Sequence, residues 1–115
     1  MQDPAERRDH PRVELLAQVQ VARDSEIYVM STSNISRGGV FVQGDPADCP
    51  DLEPGTAVEI VIFATNLDLE VRLDARIVRV VPAGGGFPPG FGLQFTALEQ
   101  AQAQILERMA GAAAG

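Results

Sequence analysis

Tryptophan is absent from this chain, tyrosine occurs once, and aromatic residues make up 5% of its 115 positions. Positive charge is scarce as well: 9 basic residues face 16 acidic ones, for a formal net charge of −7. Proteins that hold single-stranded nucleic acid need cationic grooves with stacking platforms, so a small barrel of that class is disfavoured. A general nucleic-acid binder needs a basic face, and this composition offers none. Cys49 is the only cysteine, which excludes an internal disulfide and suits a reducing compartment. His10 is the only histidine and belongs to a polar head, where the expectation is an exposed side chain and not a general base. No apolar run approaches membrane-spanning length, and the first residues are charged and polar without an apolar signal region. The expectation is a soluble, cytoplasmic protein that does not insert into membranes.

What is present is alternation. Hydrophobic residues make up 45% of the chain and charged residues 22%, ordinary values for one globular domain with one modest core. Residues 13–21 place Val13, Leu15, Ala17, Val19 and Val21 on one face, the period of a half-buried strand. A polar turn at Arg23, Asp24 and Ser25 leads to a second strand that starts at Glu26 and carries into Asn34. Gly38 and Gly39 mark a turn or bulge before a third strand opening at Val40. Residues 44–55 hold three prolines and four acidic residues and read as a loop. Residues 56–63 alternate again, with Val58, Ile60 and Ile62 on one face. In residues 67–81, Leu67, Leu69, Val71, Leu73, Ala75 and Ile77 share a face, and Val78 and Val80 then take over. That slip of one residue predicts a β-bulge or sharp bend near Ile77 and Val78. A Gly- and Pro-rich turn over residues 82–89 precedes a last strand at 90–96.

From Ala97 the period changes. Leu98, Ala101, Ile105 and Met109 recur at helical spacing, with Thr96 placed as an N-cap and Glu99 as its capping-box partner. Six short strands followed by one helix predict an all-β fold, a small antiparallel barrel with a C-terminal helix covering one opening. The division is an N-terminal arm over 1–12, a barrel over 13–96 and a helix over 97–111, one domain overall.

Two short signatures stand about twenty residues apart. The first is Arg7-Arg8-Asp9-His10-Pro11-Arg12; its guanidinium forks suit phosphate oxygens and guanine edges, and can stack on a base. The second is Asn34-Ile35-Ser36-Arg37-Gly38-Gly39, which supplies an amide, a hydroxyl and two glycines that let backbone approach a ligand. Each also has a plainer reading. The arginine segment suits a solvated terminus, with Asp3, Glu6 and Asp9 offsetting its charge, and Asn34, Ser36 and Gly39 suit an ordinary turn. Their joint occurrence, R-R-x-x-x-R then [D/N]-x-S-x-x-G, resembles the PilZ domain, a bacterial receptor module for the second messenger cyclic di-GMP. Gly90-x-Gly92-Leu93-x-Phe95 matches that family's final-strand pattern as well.

The resemblance implies a six-stranded split barrel and a ligand of two guanines in a phosphodiester ring. Arg8 and Arg12 would grip phosphate and the Hoogsteen edge of guanine or stack on it; Asn34 and Ser36 would hydrogen-bond from the opposite side. Gly38 and Gly39 would avoid a clash with the ring, Arg37 is a possible extra cation, and a basic residue at Arg7 is associated with two intercalated ligands. Binding would order the arm and create a surface for an unidentified downstream protein acting in motility, surface polysaccharide or development. The receptor is expected to act in trans, as a monomer or weak dimer, with cyclic di-GMP as ligand and no cofactor. The alternative is a ligand-blind adaptor working by protein contacts. No enzymatic activity is expected: Cys49 reads as an ordinary loop thiol, and Asp45, Asp48, Asp51 and Glu53 lack the glycine-pinned spacing of a Ca²⁺ loop.

Overall fold

The alternating segments are strands, and they close on one another. The computed structural model describes residues 17–36 and 38–114. Among these, the strands are β1 (Ala17–Arg23), β2 (Glu26–Ile35), β3 (Gly39–Gln43), β4 (Ala57–Ala64), β5 (Leu69–Val81) and β6 (Gly90–Ala97). They form a closed barrel in the order β1-β2-β3-β6-β5-β4, every neighbour antiparallel. Closure pairs both sides of each strand and so leaves no exposed sheet edge in this ring. The arm over residues 1–12, with Arg7, Arg8 and Arg12, lies outside the described residues, as do Val13 and Leu15 of the expected first strand, and Arg37.

Period-2 alternation sends one face of each strand inward. Val19 and Val21 from β1, Ile60 and Ile62 from β4, Leu73 and Ile77 from β5, and Phe91 from β6 are fully buried together. The loop over residues 44–56 is anchored as well. Cys49 and Leu52 from it enter the same core, and Tyr28 Oη donates to Asp51 Oδ1 at 2.7 Å. Cys49 is thus a loop thiol, as expected, and one that is buried in the core.

The expected slip in β5 is present. Its register against β6 shifts between Ile77 and Arg79, so Ile77 faces the core while Val78 is 51% exposed and Arg79 is exposed too. Only Val80 turns back to pack against the core, so Val78 does not take over the inward face as expected. A second shift falls between Asp74 and Ala75. A third, which periodicity does not reveal, falls in β2 between Ser31 and Asn34; there the buried Thr32 hydroxyl donates to the Phe41 carbonyl.

Helix α1 (Gln100–Ala114) packs against β2 and β5. These strands are opposite one another in the ring of six, so the helix crosses an opening of the barrel. Leu106 and Met109 are fully buried in the core, with Ile105 partly buried beside them. The expected apolar face holds only in its second half: Ile105 and Met109 lie toward the core, whereas Leu98 is 40% exposed, Ala101 is exposed, and Leu106 is buried without having been expected. Thr96 is not the cap either, because pairing of Ala97 with Asp74 keeps that segment in β6. Glu99 precedes the helix; its N–H donates to Gln102 Oε1 at 2.7 Å and its carbonyl accepts from Ala103 N–H at 3.0 Å. Gln102 plays the reaching-back half of a capping box, and its Nε2 donates to the Arg72 carbonyl at 2.7 Å, tying the first turn to β5. No helix among the described residues is long and apolar enough to cross a membrane.

Candidate functional site

The Asn34–Gly39 motif is the hairpin between β2 and β3, exposed on the outside of the barrel at Ser36 and Gly38. The β2 bulge ends at Asn34, which pairs with Phe41 through its backbone; its side chain is not among those described. Ser36 builds the turn. Its N–H donates to the Gly39 carbonyl at 3.0 Å, and its Oγ donates to that same carbonyl at 3.2 Å. Oγ also accepts from the N–H groups of Gly38 and Gly39, each at 3.2 Å. A hydroxyl has one donor and two acceptor positions. All three are used within the turn, which is what a small polar residue does best in a tight connection.

Gly39 has its own packing reason. A Cβ there would sit 2.2 Å from the Leu93 carbonyl oxygen of β6, inside backbone that cannot rotate away. Gly38 has none: a Cβ would meet nothing within 4 Å, and its carbonyl accepts from Phe95 N–H at 3.0 Å. Of the two glycines, only Gly38 faces open space.

Against this hairpin lies a cleft of about 320 Å³ lined by Ser36, Gly39, Phe41, Val78, Arg79 and Gly92. The structure thus brings Ser36 and Gly39 together with two side chains the sequence reading did not single out, Phe41 and Arg79. The signal for Arg79 was the phase slip itself, because a bulge that exposes two successive residues turns an arginine onto the outer wall. Arg79 Cζ lies over the Phe41 ring, 5.6 Å from its centroid. Beyond this pair a wider groove of about 580 Å³ continues past Gln43, Pro82, Phe87 and Pro88. A third depression of about 640 Å³, by Arg23, Glu59, Asp74 and Arg76, has none of the motif residues.

The titratable groups away from the hairpin have structural work. Tyr28 is pushed up to about 12, first by its hydrogen bond to Asp51, then by burial and by the charge of that carboxylate. The Cys49 thiol is raised by burial and by Asp48, Asp51 and Asp45, which disfavours the thiolate that thiol chemistry requires. Asp45 Oδ1 caps the short turn Pro46–Asp48 by accepting from Ala47 N–H at 3.0 Å. Among the described residues, no group of three or more His, Cys, Asp and Glu is gathered to hold a metal ion.

A model of the PilZ domain matches residues 6–112, a span that holds both short signatures. The Bacillus subtilis inhibitor of motility MotI has a similar structure, with a TM-score of 0.67 and 20% identity over 89% of this chain and 48% of that one. MrkH of K. pneumonia, in its apo state, gives 0.68 and 17%, covering 95% of this chain and 50% of that one. The PilZ domain of CeSA from a cellulose-synthesizing bacterium gives 0.57 and 26%, covering 88% and 93%. The chain therefore spans about half the length of MotI and of MrkH. No curated protein sequence matches it significantly.

Proposed function

We propose that this chain, which belongs to the PilZ domain family, is a receptor for cyclic di-GMP that passes the signal to a partner protein. The family's modules bind ligand or partner and are not enzymes, and the proposed role is binding without catalysis. The observation that carries the reading is the conjunction of motifs within one matched span. Arg8 and Arg12 stand at the chain's start, and Asn34, Ser36 and Gly39 form an exposed hairpin beside a cleft.

In this reading Arg8 and Arg12 supply the charge that draws a dianion to an acidic protein, gripping phosphate and the guanine Hoogsteen edge. Asn34 hydrogen-bonds guanine or phosphate from the opposite side. The Ser36 turn presents the open Cα of Gly38 to the ligand and lets the ring approach backbone. Arg37 adds a further cation at the mouth. Arg7 provides a third guanidinium for a second, stacked ligand. Ligand would hold the arm over 1–12 against the barrel and complete a surface for the partner. MotI is an inhibitor of motility, and CeSA comes from a cellulose-synthesizing bacterium. Motility, surface polysaccharide or development are the outputs proposed, in the cytoplasm, by a monomer or weak dimer.

A second reading, the ligand-blind adaptor, has its own support. Ser36 spends its hydroxyl inside the turn and Gly39 is required by Leu93, so the fold alone gives reasons to have both residues. Calorimetric titration with cyclic di-GMP separates the two. Arg8→Ala and Arg12→Ala should each weaken binding by roughly 2–5 kcal/mol, thirtyfold or more, with an unchanged melting temperature. No heat with the wild-type chain supports the adaptor, and wild-type affinity in both variants would remove the arginines from the site.

A further inference from the structure

We infer that Arg79, seated on Phe41, is a stacking platform for a guanine of cyclic di-GMP, a binding residue additional to the two short motifs. The inference rests on the cyclic di-GMP reading and names a further part of that site. Its basis is one cross-strand row. Gly92 of β6 pairs with Arg79 of β5 on one side and with Phe41 of β3 on the other. The row therefore runs arginine, glycine, phenylalanine across three adjacent strands on the outer wall. Because the middle residue has no side chain, the arginine can lie across it, and its Cζ reaches a point 5.6 Å from the Phe41 centroid. A Cβ on Gly92 would come within 3.3 Å of Arg79 Cβ and crowd that path.

The bulge between Ile77 and Arg79 decides which way the side chain faces. Uninterrupted alternation from the buried Ile77 would turn Arg79 inward, where a guanidinium without a partner is too costly to bury. The extra residue turns it outward into the cleft that Ser36 and Gly39 line. It also forms the divide between that cleft and the wider apolar groove past Phe87, which is 74% exposed.

Three physical features suit a purine here. A guanidinium over a ring face is attracted by the ring quadrupole and loses freedom, while its solvent side remains a flat cation. Guanine is a flat, polarisable partner for such a surface, and its N7 and O6 accept from guanidinium N–H groups. Charge selects the ligand in the same direction. The chain has no lysine, so its nine basic residues are all arginines. Of those described, Arg79 alone lines the cleft beside Ser36 and Gly39. A phosphodiester ligand entering a protein of charge −7 gains from a cation already oriented there.

The test is calorimetric titration of the full chain with cyclic di-GMP, comparing wild type with Arg79→Ala and Arg79→Lys. Loss of a stacked cationic contact should weaken binding roughly 3- to 30-fold in Arg79→Ala, with melting unchanged because the side chain is exposed. Lysine keeps the charge but not the plane, so Arg79→Lys should recover only a small part of the loss. In proton NMR of the complex, the Phe41 ring resonances and a guanine H8 should both shift in wild type, and the H8 shift should diminish in Arg79→Ala. Wild-type affinity in Arg79→Ala overturns the inference and leaves the receptor reading standing. Full recovery in Arg79→Lys also overturns it, because charge alone would then suffice. Failure of the wild-type chain to bind overturns both.

Discussion

Gly38 and Gly39 are adjacent, belong to one motif and should respond oppositely to alanine. In Gly39→Ala the new methyl would stand 2.2 Å from the Leu93 carbonyl oxygen. Contacts under 3.0 Å are essentially never seen for real Cβ atoms, so β3 and β6 must part by about 0.8 Å. They would do so where Gly39 pairs with Gln94 and Phe95 N–H reaches the Gly38 carbonyl. Forced overpacking costs roughly 1–3 kcal/mol, and at about 4 °C per kcal/mol for a domain of this size the melting temperature should fall by roughly 4–12 °C. Gly38→Ala meets nothing within 4 Å, and its backbone is not left-handed, so stability should stay within about 0.5 kcal/mol of wild type. The informative comparison pairs differential scanning calorimetry with titration by cyclic di-GMP. Gly38→Ala should melt as wild type yet bind more weakly, because its methyl occupies the space a ligand against the turn would use. A Gly39→Ala protein that melts like wild type would refute the packing argument. A Gly38→Ala protein that binds like wild type would remove the ligand from that face of the turn.

Tyr28 is the only tyrosine and there is no tryptophan, so phenolate absorbance reports on it alone. Its midpoint should lie near 12 in the folded chain, against 10.0 for a free phenol, and Asp51→Asn should lower it. The raised value means that the Tyr28–Asp51 contribution to stability is complete below pH 10 and lost as pH rises toward 12. A folded-state midpoint near 10 would show that the loop tether is absent in solution. Leu106→Ala and Met109→Ala should each cost about 2–5 kcal/mol in urea unfolding, whereas Leu98→Ala at a 40% exposed site should cost far less. Equal losses at all three would return Leu98 to the buried face. Cyclic di-GMP should bind wild type at two molecules per chain, and Arg7→Leu should move that value toward one; saturation of wild type at one refutes the stacked pair.

Local pattern alone was enough for the strands, because burial on one side of a pleated strand writes itself into every second residue. Val19 and Val21, Val58, Ile60 and Ile62, and Leu73, Ala75 and Ile77 are buried as their alternation requires. The slip at Ile77 and Val78 was equally legible, since a bulge must break the phase. The two short motifs carried the family, being set by chemistry and spacing instead of by packing. The helix face was less legible. The helical period found Ile105 and Met109, but Leu98 and Ala101 fit it equally and stay exposed while Leu106 is buried, because the start of the helix depends on how far β6 pairs along β5. Closure of the ring, the burial of Cys49 and Leu52 from a polar loop, and the bulge in β2 all depend on residues distant in sequence. The same holds for the candidate site. Its hairpin could be read from Asn34, Ser36 and Gly39, but Arg79 joins them only because Gly92 pairs with both Arg79 and Phe41. A one-dimensional pattern records which way a side chain faces; only the closed sheet decides which side chains from other strands stand beside it.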